Sequence, residues 1–162
     1  MKRTDMKQSP TTTRAELLYE GHDRRFRSFI HDLLKFAEQI VGIRNGFGQL
    51  LGFSGLQYTM LTTIAYLDVG RGVRSRDIAD YLDLGEPFIL AECSRLADRG
   101  VLDKSLRSED LVGAFGLSQH GQNLLHDLAP TQARINDALF ECLSEEDFIS
   151  VSRVIAELTE CG

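Results

Sequence analysis

The chain has 162 residues, of which 43% are hydrophobic and 26% charged, and its formal net charge is −6. This size and balance suit one globular domain with extensions and a core of its own. No apolar run approaches the roughly 18 residues of a membrane span. The three cysteines, Cys93, Cys142 and Cys161, lack the short spacings of a disulfide framework or a CxxC metal motif.

The charge is unevenly spread. Residues 1–53 carry nine Lys/Arg against six Asp/Glu, residues 54–118 seven against ten, and residues 119–162 two against eight. The first stretch, Met1 to Arg14, is polar and lacks the apolar segment of a secretory signal, so it reads as a frayed tail on a cytoplasmic protein. A short helical piece around Glu16 to Tyr19 follows and breaks near Gly21.

Phe26, Phe29, Ile30, Leu33, Leu34, Ala37, Ile40 and Val41 recur at steps of three and four, which predicts a long amphipathic helix from about Asp23 to Arg44. Asn45-Gly46 supplies a C-terminal stop. Ser54 caps a second helix whose buried face is Leu56, Met60, Leu61, Ile64 and Ala65, ending over Asp68 to Gly72. A short third helix carries Ile78, Ala79 and Leu82. After a tight turn at Leu84-Gly85, a fourth runs from Glu86 or Pro87 to Arg99, with Ile89, Cys93, Leu96 and Ala97 facing inward. Pro87 suits a first turn, where a missing N–H costs nothing, and Gly100 stops the helix. Val101–Leu106 and Ala114–Leu117 form two short strands around a loop from Arg107 to Gly113. Ser118 caps a further long helix with Leu124, Leu125, Leu128, Ile135, Ala138, Leu139 and Leu143 on one stripe and Pro130 inside it. Ser144-Glu145-Glu146-Asp147 is a capping box, opening a last helix with Phe148, Val151, Val154, Ile155 and Leu158.

Ile78-Ala79-Asp80-Tyr81-Leu82-Asp83-Leu84-Gly85 followed by Ile89 is a helix-turn-helix pattern. Ala79 allows close helix approach, Gly85 permits the turn, and apolar residues plug the joint. A hairpin attached directly through Arg99-Gly100-Val101-Leu102 makes it a winged one. The fold class is therefore mainly α, a winged helix-turn-helix with long helices at both ends.

On these residues the chain resembles the MarR family of bacterial transcription regulators. The resemblance rests on Gln57-Tyr58 with Leu61, Ile78-Ala79 with Leu82, Leu84 and Gly85, Arg95-Leu96, Arg99 to Leu102, Leu117-Ser118 with Gly121, Leu124 and Leu125, and Leu143 to Glu146. It runs from about Phe29 to Leu158. It implies an intertwined homodimer built from the terminal helices, a recognition helix in the major groove of operator DNA, wings toward the minor groove, and a small-molecule effector that loosens DNA binding. The implied layout is a tail and short helix at 1–22, an N-terminal dimerisation helix at 23–53, the DNA-binding module at 54–118, and C-terminal dimerisation helices at 119–162. The chain is expected to act as a repressor and to need no cofactor.

The DNA-facing residues expected on this reading are Arg74 and Arg76 on the third helix, Pro87, Phe88, Leu90, Ala91, Ser94 and Arg95 on the fourth, and Arg107 and Ser108 on the wing. Arginine can contact phosphates or bases. Arg95 can equally pair with Asp98, Asp110 or another carboxylate, and Arg74 and Arg76 can simply be solvated. The family's wing usually carries Asp-x-Arg. Here Asp110-Leu111-Val112 puts Val112 in the arginine's place, with Arg107 as the substitute. The effector expected is an anion with an apolar body, such as an aromatic acid or its CoA thioester, held by Arg24, Arg25, Arg27, Phe29, Arg44 and Tyr58.

Other chemistries find little support. His22, His31, His120 and His126 are not spaced to share helical faces, which argues against a metal site. Cys93 reads as packing. No nucleophile elbow, phosphate loop, zinc-protease motif or dinucleotide fingerprint is present. The alternative function is a dimer of the same fold that has lost DNA binding and acts through protein contacts.

Overall fold

The computed structural model describes residues 9–104 and 113–160. A 3-10 turn at Ala15–Leu17 precedes six α-helices, α1 (Arg24–Leu50), α2 (Gly55–Leu67), α3 (Ser75–Leu82), α4 (Glu86–Asp98), α5 (Gln119–Phe140) and α6 (Glu145–Glu160). Three short strands, β1 (Val73–Arg74), β2 (Leu102–Lys104) and β3 (Ala114–Leu117), form an antiparallel sheet in the order β1-β3-β2. The chain divides into two compact units, Met1–Leu56 and Gln57–Gly162.

In the first unit α1 runs past Asn45-Gly46, the expected stop, and ends at Leu50. Gly46 lacks the left-handed conformation a stop requires; Gly52 has it, at φ +75°. There the Phe53 N–H donates to the Gly48 carbonyl (2.8 Å) and the Gly52 N–H to that of Gln49 (3.0 Å), closing a Schellman motif. The extra turns bury Phe47 and Gly48. A Cβ on Gly48 would lie 2.7 Å from the Ser54 carbonyl carbon and oxygen, so only glycine lets the returning chain pass this close.

Before α1, Glu20 and Gly21 both take positive φ in a tight turn whose flanks, Tyr19 and His22, exchange two backbone hydrogen bonds of 2.9 Å. The buried Asp23 carboxylate anchors the preceding segment. It accepts from the Thr11 N–H (2.6 Å), the Thr11 hydroxyl (2.7 Å) and Arg27 Nε (2.9 Å), while Arg27 Nη2 donates to the Ser9 carbonyl (2.9 Å). The Thr11 bonds above all lower the Asp23 pKa from 3.8 to about 2. A depressed carboxylate pKa adds stability above the unfolded value and loses it as pH falls through the folded one. Protection of the Thr11 amide, its exchange rate taken relative to the unfolded chain at the same pH, should therefore be level from neutrality down to about pH 4, then fall toward pH 2. Asp23→Ala should abolish it at every pH. Equal protection in that variant would remove Asp23 as the anchor.

In the second unit Met60, Leu61, Ile64, Ile78, Ile89, Cys93 and Leu96 are wholly buried, joined by Val101 and Phe115. Ala65, expected inside, is exposed. Cys93 is core packing, and burial pushes its thiol up to about 12, leaving no reactive thiolate near neutral pH. After α2, Asp68 Oδ1 accepts from the N–H groups of Gly70, Arg71 and Gly72 (2.7, 3.0 and 2.9 Å). That turn delivers β1, which the sequence reading lacked. Val73 pairs with Phe115 and Arg74 with Ala114, while Leu102 pairs with Leu117 and Lys104 with Phe115.

The α3–α4 turn also differs from expectation. Its left-handed residue is Asp83 (φ 51°, ψ 49°), with the Leu84 N–H donating to the Ala79 carbonyl (3.0 Å). Gly85 is extended (φ −65°), and nothing lies within 4 Å of a Cβ built on it. Aspartate tolerates the left-handed region better than most residues, which is how a non-glycine makes this turn. Gly100 (φ +72°) closes α4 as expected, with Val101 N–H donating to the Leu96 carbonyl (3.0 Å) and Gly100 N–H to that of Ala97 (2.8 Å).

Ser118 joins α4 to α5. Its Oγ donates within reach of the Gly100 and Val101 carbonyls (2.7 and 3.0 Å) and accepts from the Gly121 N–H (3.0 Å). The capping box of α6 is reciprocal: Asp147 N–H donates to Ser144 Oγ (3.1 Å), and Ser144 N–H and Oγ donate to Asp147 Oδ2 (3.2 and 2.6 Å). No described residue of α6 is buried; Phe148, Ile149, Val151, Val154, Ile155 and Leu158 are all exposed.

Candidate nucleic-acid interface

The outer face of α4 follows from how the helix is packed. Ile89, Cys93 and Leu96 fix one side in the core. Turning by 3.6 residues then leaves Pro87, Phe88, Leu90, Ala91 and Arg95 exposed, with Ser94 half-buried. These are the residues singled out on α4, and they share one accessible surface. Phe88 and Leu90 are 44% and 41% exposed. Arg107, Ser108, Asp110 and Val112, expected on the wing, lie outside the described residues, as do Leu106 and Cys161.

The three described arginines expected at DNA are all paired within the chain. Arg74 makes a two-pronged contact with Asp77, Nε to Oδ2 at 2.8 Å and Nη2 to Oδ1 at 2.7 Å. This pair raises the arginine's pKa and lowers the aspartate's. Arg76 Nε lies 3.9 Å from Asp80 Oδ2, both side chains being well exposed. Arg95 Nη1 bonds Glu92 Oε1. Glu92 itself is buried, and its other oxygen accepts from Gln57 Nε2 on α2 (3.0 Å). Of the two readings for Arg95, the carboxylate partner is thus present, and it is Glu92 rather than Asp98. The spacings of three and four that make these pairs are visible in the sequence. The Gln57 link, 35 residues from Glu92, is not.

Nearby, Ser75 holds the helix pair together. Its N–H donates to the Gly113 carbonyl (3.0 Å) and its hydroxyl to Glu86 Oε1 (3.0 Å), tying the start of α3 to the end of the hairpin and the start of α4. Gln132 on α5 donates to the hydroxyl of the buried Tyr58 on α2, whose pKa is raised by burial.

The basic residues expected to hold an effector have diverse surroundings. Arg25 lies over the Tyr19 ring, 3.6 Å from its centroid, and Arg27 serves Asp23 and Ser9. Arg24 and Phe29 are exposed. Arg44 has a buried Nε without a hydrogen-bond partner among the described residues. Tyr66 is 74% exposed and packs against Tyr81 with ring centroids 5.9 Å apart. Among the described residues no three His, Cys, Asp or Glu side chains converge as metal ligands would.

No family model and no curated relative matches the chain. Solved structures do. AbsC, a MarR family transcriptional regulator from Streptomyces coelicolor, superposes with a TM-score of 0.70 at 17% identity over 88% of this chain and 95% of its own. CouR from Rhodococcus jostii RHA1, solved with p-coumaroyl-CoA, gives 0.68 at 19% identity over 80% and 90%. MepR of S. aureus, solved with DNA, gives 0.64 at 17% over 91% and 99%. The chain has the fold of the MarR family regulators, a winged helix-turn-helix within a mainly helical frame.

Proposed function

We propose that the protein is a DNA-binding transcriptional regulator working in the cytoplasm as a homodimer. It binds double-stranded operator DNA through α4 and the wing, acts as a repressor, and is released by a small aromatic or acyl anion. One observation carries this reading: the α3–α4 pair presents an exposed α4 face and runs straight into the β2–β3 hairpin, on a frame shared with MepR, solved with DNA. No helix of the described residues is long and apolar enough to cross a membrane. The anionic effector is supported by the buried, unpartnered Arg44 Nε, which a carboxylate or phosphate would satisfy with a charge-assisted bond, and by the thioester bound to CouR. On this reading residues 54–118 are the DNA-binding module, while 23–53 and 119–162 supply the dimer contacts.

Selection from a randomised duplex pool, followed by salt titration of the recovered site, tests it. With Arg95 tied to the buried Glu92, and Arg74 and Arg76 reaching phosphates only by parting from Asp77 and Asp80, Lys104 and Arg107 are the foremost phosphate cations on each protomer. Four such contacts per dimer give a slope of log affinity against log salt of about −4, and opening of the Arg74 and Arg76 pairs steepens it to about −7 at most. The second reading, a dimer acting through protein contacts, is favoured by these three pairs and by exposed Phe88 and Leu90. Failure to recover any duplex at about 50 mM salt would decide for it.

A further inference from the structure

We infer that Gln57 and Glu92 are positioning residues for Arg95, making it a base-discriminating group rather than a phosphate anchor. The inference rests on the DNA-binding reading above.

The three arginine–carboxylate pairs are not alike. Asp77 and Asp80 have exposed side chains, 41% and 74%, so they can part from Arg74 and Arg76 and be resolvated at little cost. The Glu92 side chain is only 12% exposed, against 66% for Arg95. The carboxylate is inside and the guanidinium outside. Both carboxylate oxygens are committed, Oε2 to Gln57 Nε2 and Oε1 to Arg95 Nη1. Were Arg95 to swing away, Glu92 would remain as a buried charge without its counter-ion, which is strongly unfavourable.

Two consequences follow for the exposed end of Arg95. Its charge is balanced from below, so it gains little from a phosphate and releases few counter-ions. Its planar fork is held by one nitrogen, while most of its N–H donors stay available. Bidentate bonding to a guanine edge depends on that fork being pre-aimed. Phe88, Ala91 and Arg95 lie at steps of three and four on one outward face, so the held guanidinium sits in line with apolar groups suited to thymine methyls.

The test compares a duplex recovered by selection with a scrambled duplex of equal length, using the full chain. Glu92→Gln keeps the shape and removes the balancing charge. Affinity for the scrambled duplex should rise, and the salt slope should steepen by about 2 per dimer, close to 0.9 for each freed Arg95. The preference for the selected duplex should fall about thirtyfold, two lost bidentate pairs per dimer at the low end of their range. Adding Arg95→Ala should erase the change in slope. Gln57→Ala leaves both charges in place but unties the carboxylate, so preference should fall while the slope stays fixed. It decides the matter alone if Glu92→Gln fails to melt cooperatively. A folded Glu92→Gln protein with unchanged slope and preference would overturn the inference while leaving DNA binding intact. If the wild-type chain binds neither duplex, the regulator reading itself fails and this inference goes with it. If Arg95→Ala alone preserves the preference, Arg95 does not read bases, and the inference is again overturned.

Discussion

Gly121→Ala should destabilise the protein by about 3 kcal/mol, near the top of the range for overpacking substitutions. A Cβ there would stand 2.3 Å from the Val101 carbonyl oxygen and 3.2 Å from its Cγ1. The first is a backbone atom with nowhere to go, because the segment is fixed by the Gly100 turn on one side and by the β2–β3 pairing on the other. For a chain of this length the melting temperature should drop by about 10 °C. Gly85→Ala is the matched control. With φ at −65° and open space around it, the change should cost no more than about 0.5 kcal/mol, a small loss of helix-capping preference offset by a stiffer unfolded chain. Melts of the two variants within about 2 °C of each other would show that the Val101–Gly121 approach is not the constraint described here.

Ile155→Glu should break the proposed homodimer. The α6 stripe Phe148, Val151, Val154, Ile155 and Leu158 follows steps of three and four, and every member is exposed in the single chain. Full burial of such a side chain stabilises by about 1.5–3 kcal/mol, so leaving all of them in water is a large forfeited gain, and monomers rarely show so wide an apolar patch. In a two-fold interface each substitution appears twice. An unpaired carboxylate costs several kcal/mol to bury, and about 4 kcal/mol in total already weakens association about 1000-fold. Sedimentation should show monomer at micromolar concentrations, with binding to the selected duplex lost in parallel. Ser150→Glu, on the side carrying the Arg153–Glu157 pair, should leave both unchanged. A dimeric Ile155→Glu protein would move the interface off α6.

Local signals in the sequence carried most of the fold. The Ser118 and Ser144 caps, the Gly100 stop and the periodic faces of α4 and α6 depend on neighbours within four or five residues, and all were legible. The features that were missed depend on distant chain. Strand β1 has two residues, too few for any alternation, and exists because β3 arrives beside it. The end of α1 is set by the need to bury Phe47 and by the close passage of Ser54 past Gly48. The α3–α4 turn was assigned to Gly85 because glycine is the usual left-handed residue, whereas Asp83 takes that conformation. At the site, spacing permits the Arg74–Asp77 and Arg76–Asp80 pairs, but for Arg95 it offers Asp98 as readily as Glu92, the partner present. What could not be read is that Glu92 is buried and anchored by Gln57, which separates a fixed pair from two that can open.

The single hydroxyl of Ser118 and the bare Cα of Gly121 set the condition on any exchangeable cassette. One oxygen serves the turn after α4 and the first turn of α5, and its partners, the Gly100 and Val101 carbonyls and the Gly121 N–H, are backbone groups that any donor sequence supplies. A recognition helix grafted in from another protein of this fold therefore keeps the joint as long as residue 118 carries a hydroxyl and residue 121 no side chain. Lineages that swap specificity by recombination can cross over anywhere between the two helices, provided these two positions survive the exchange.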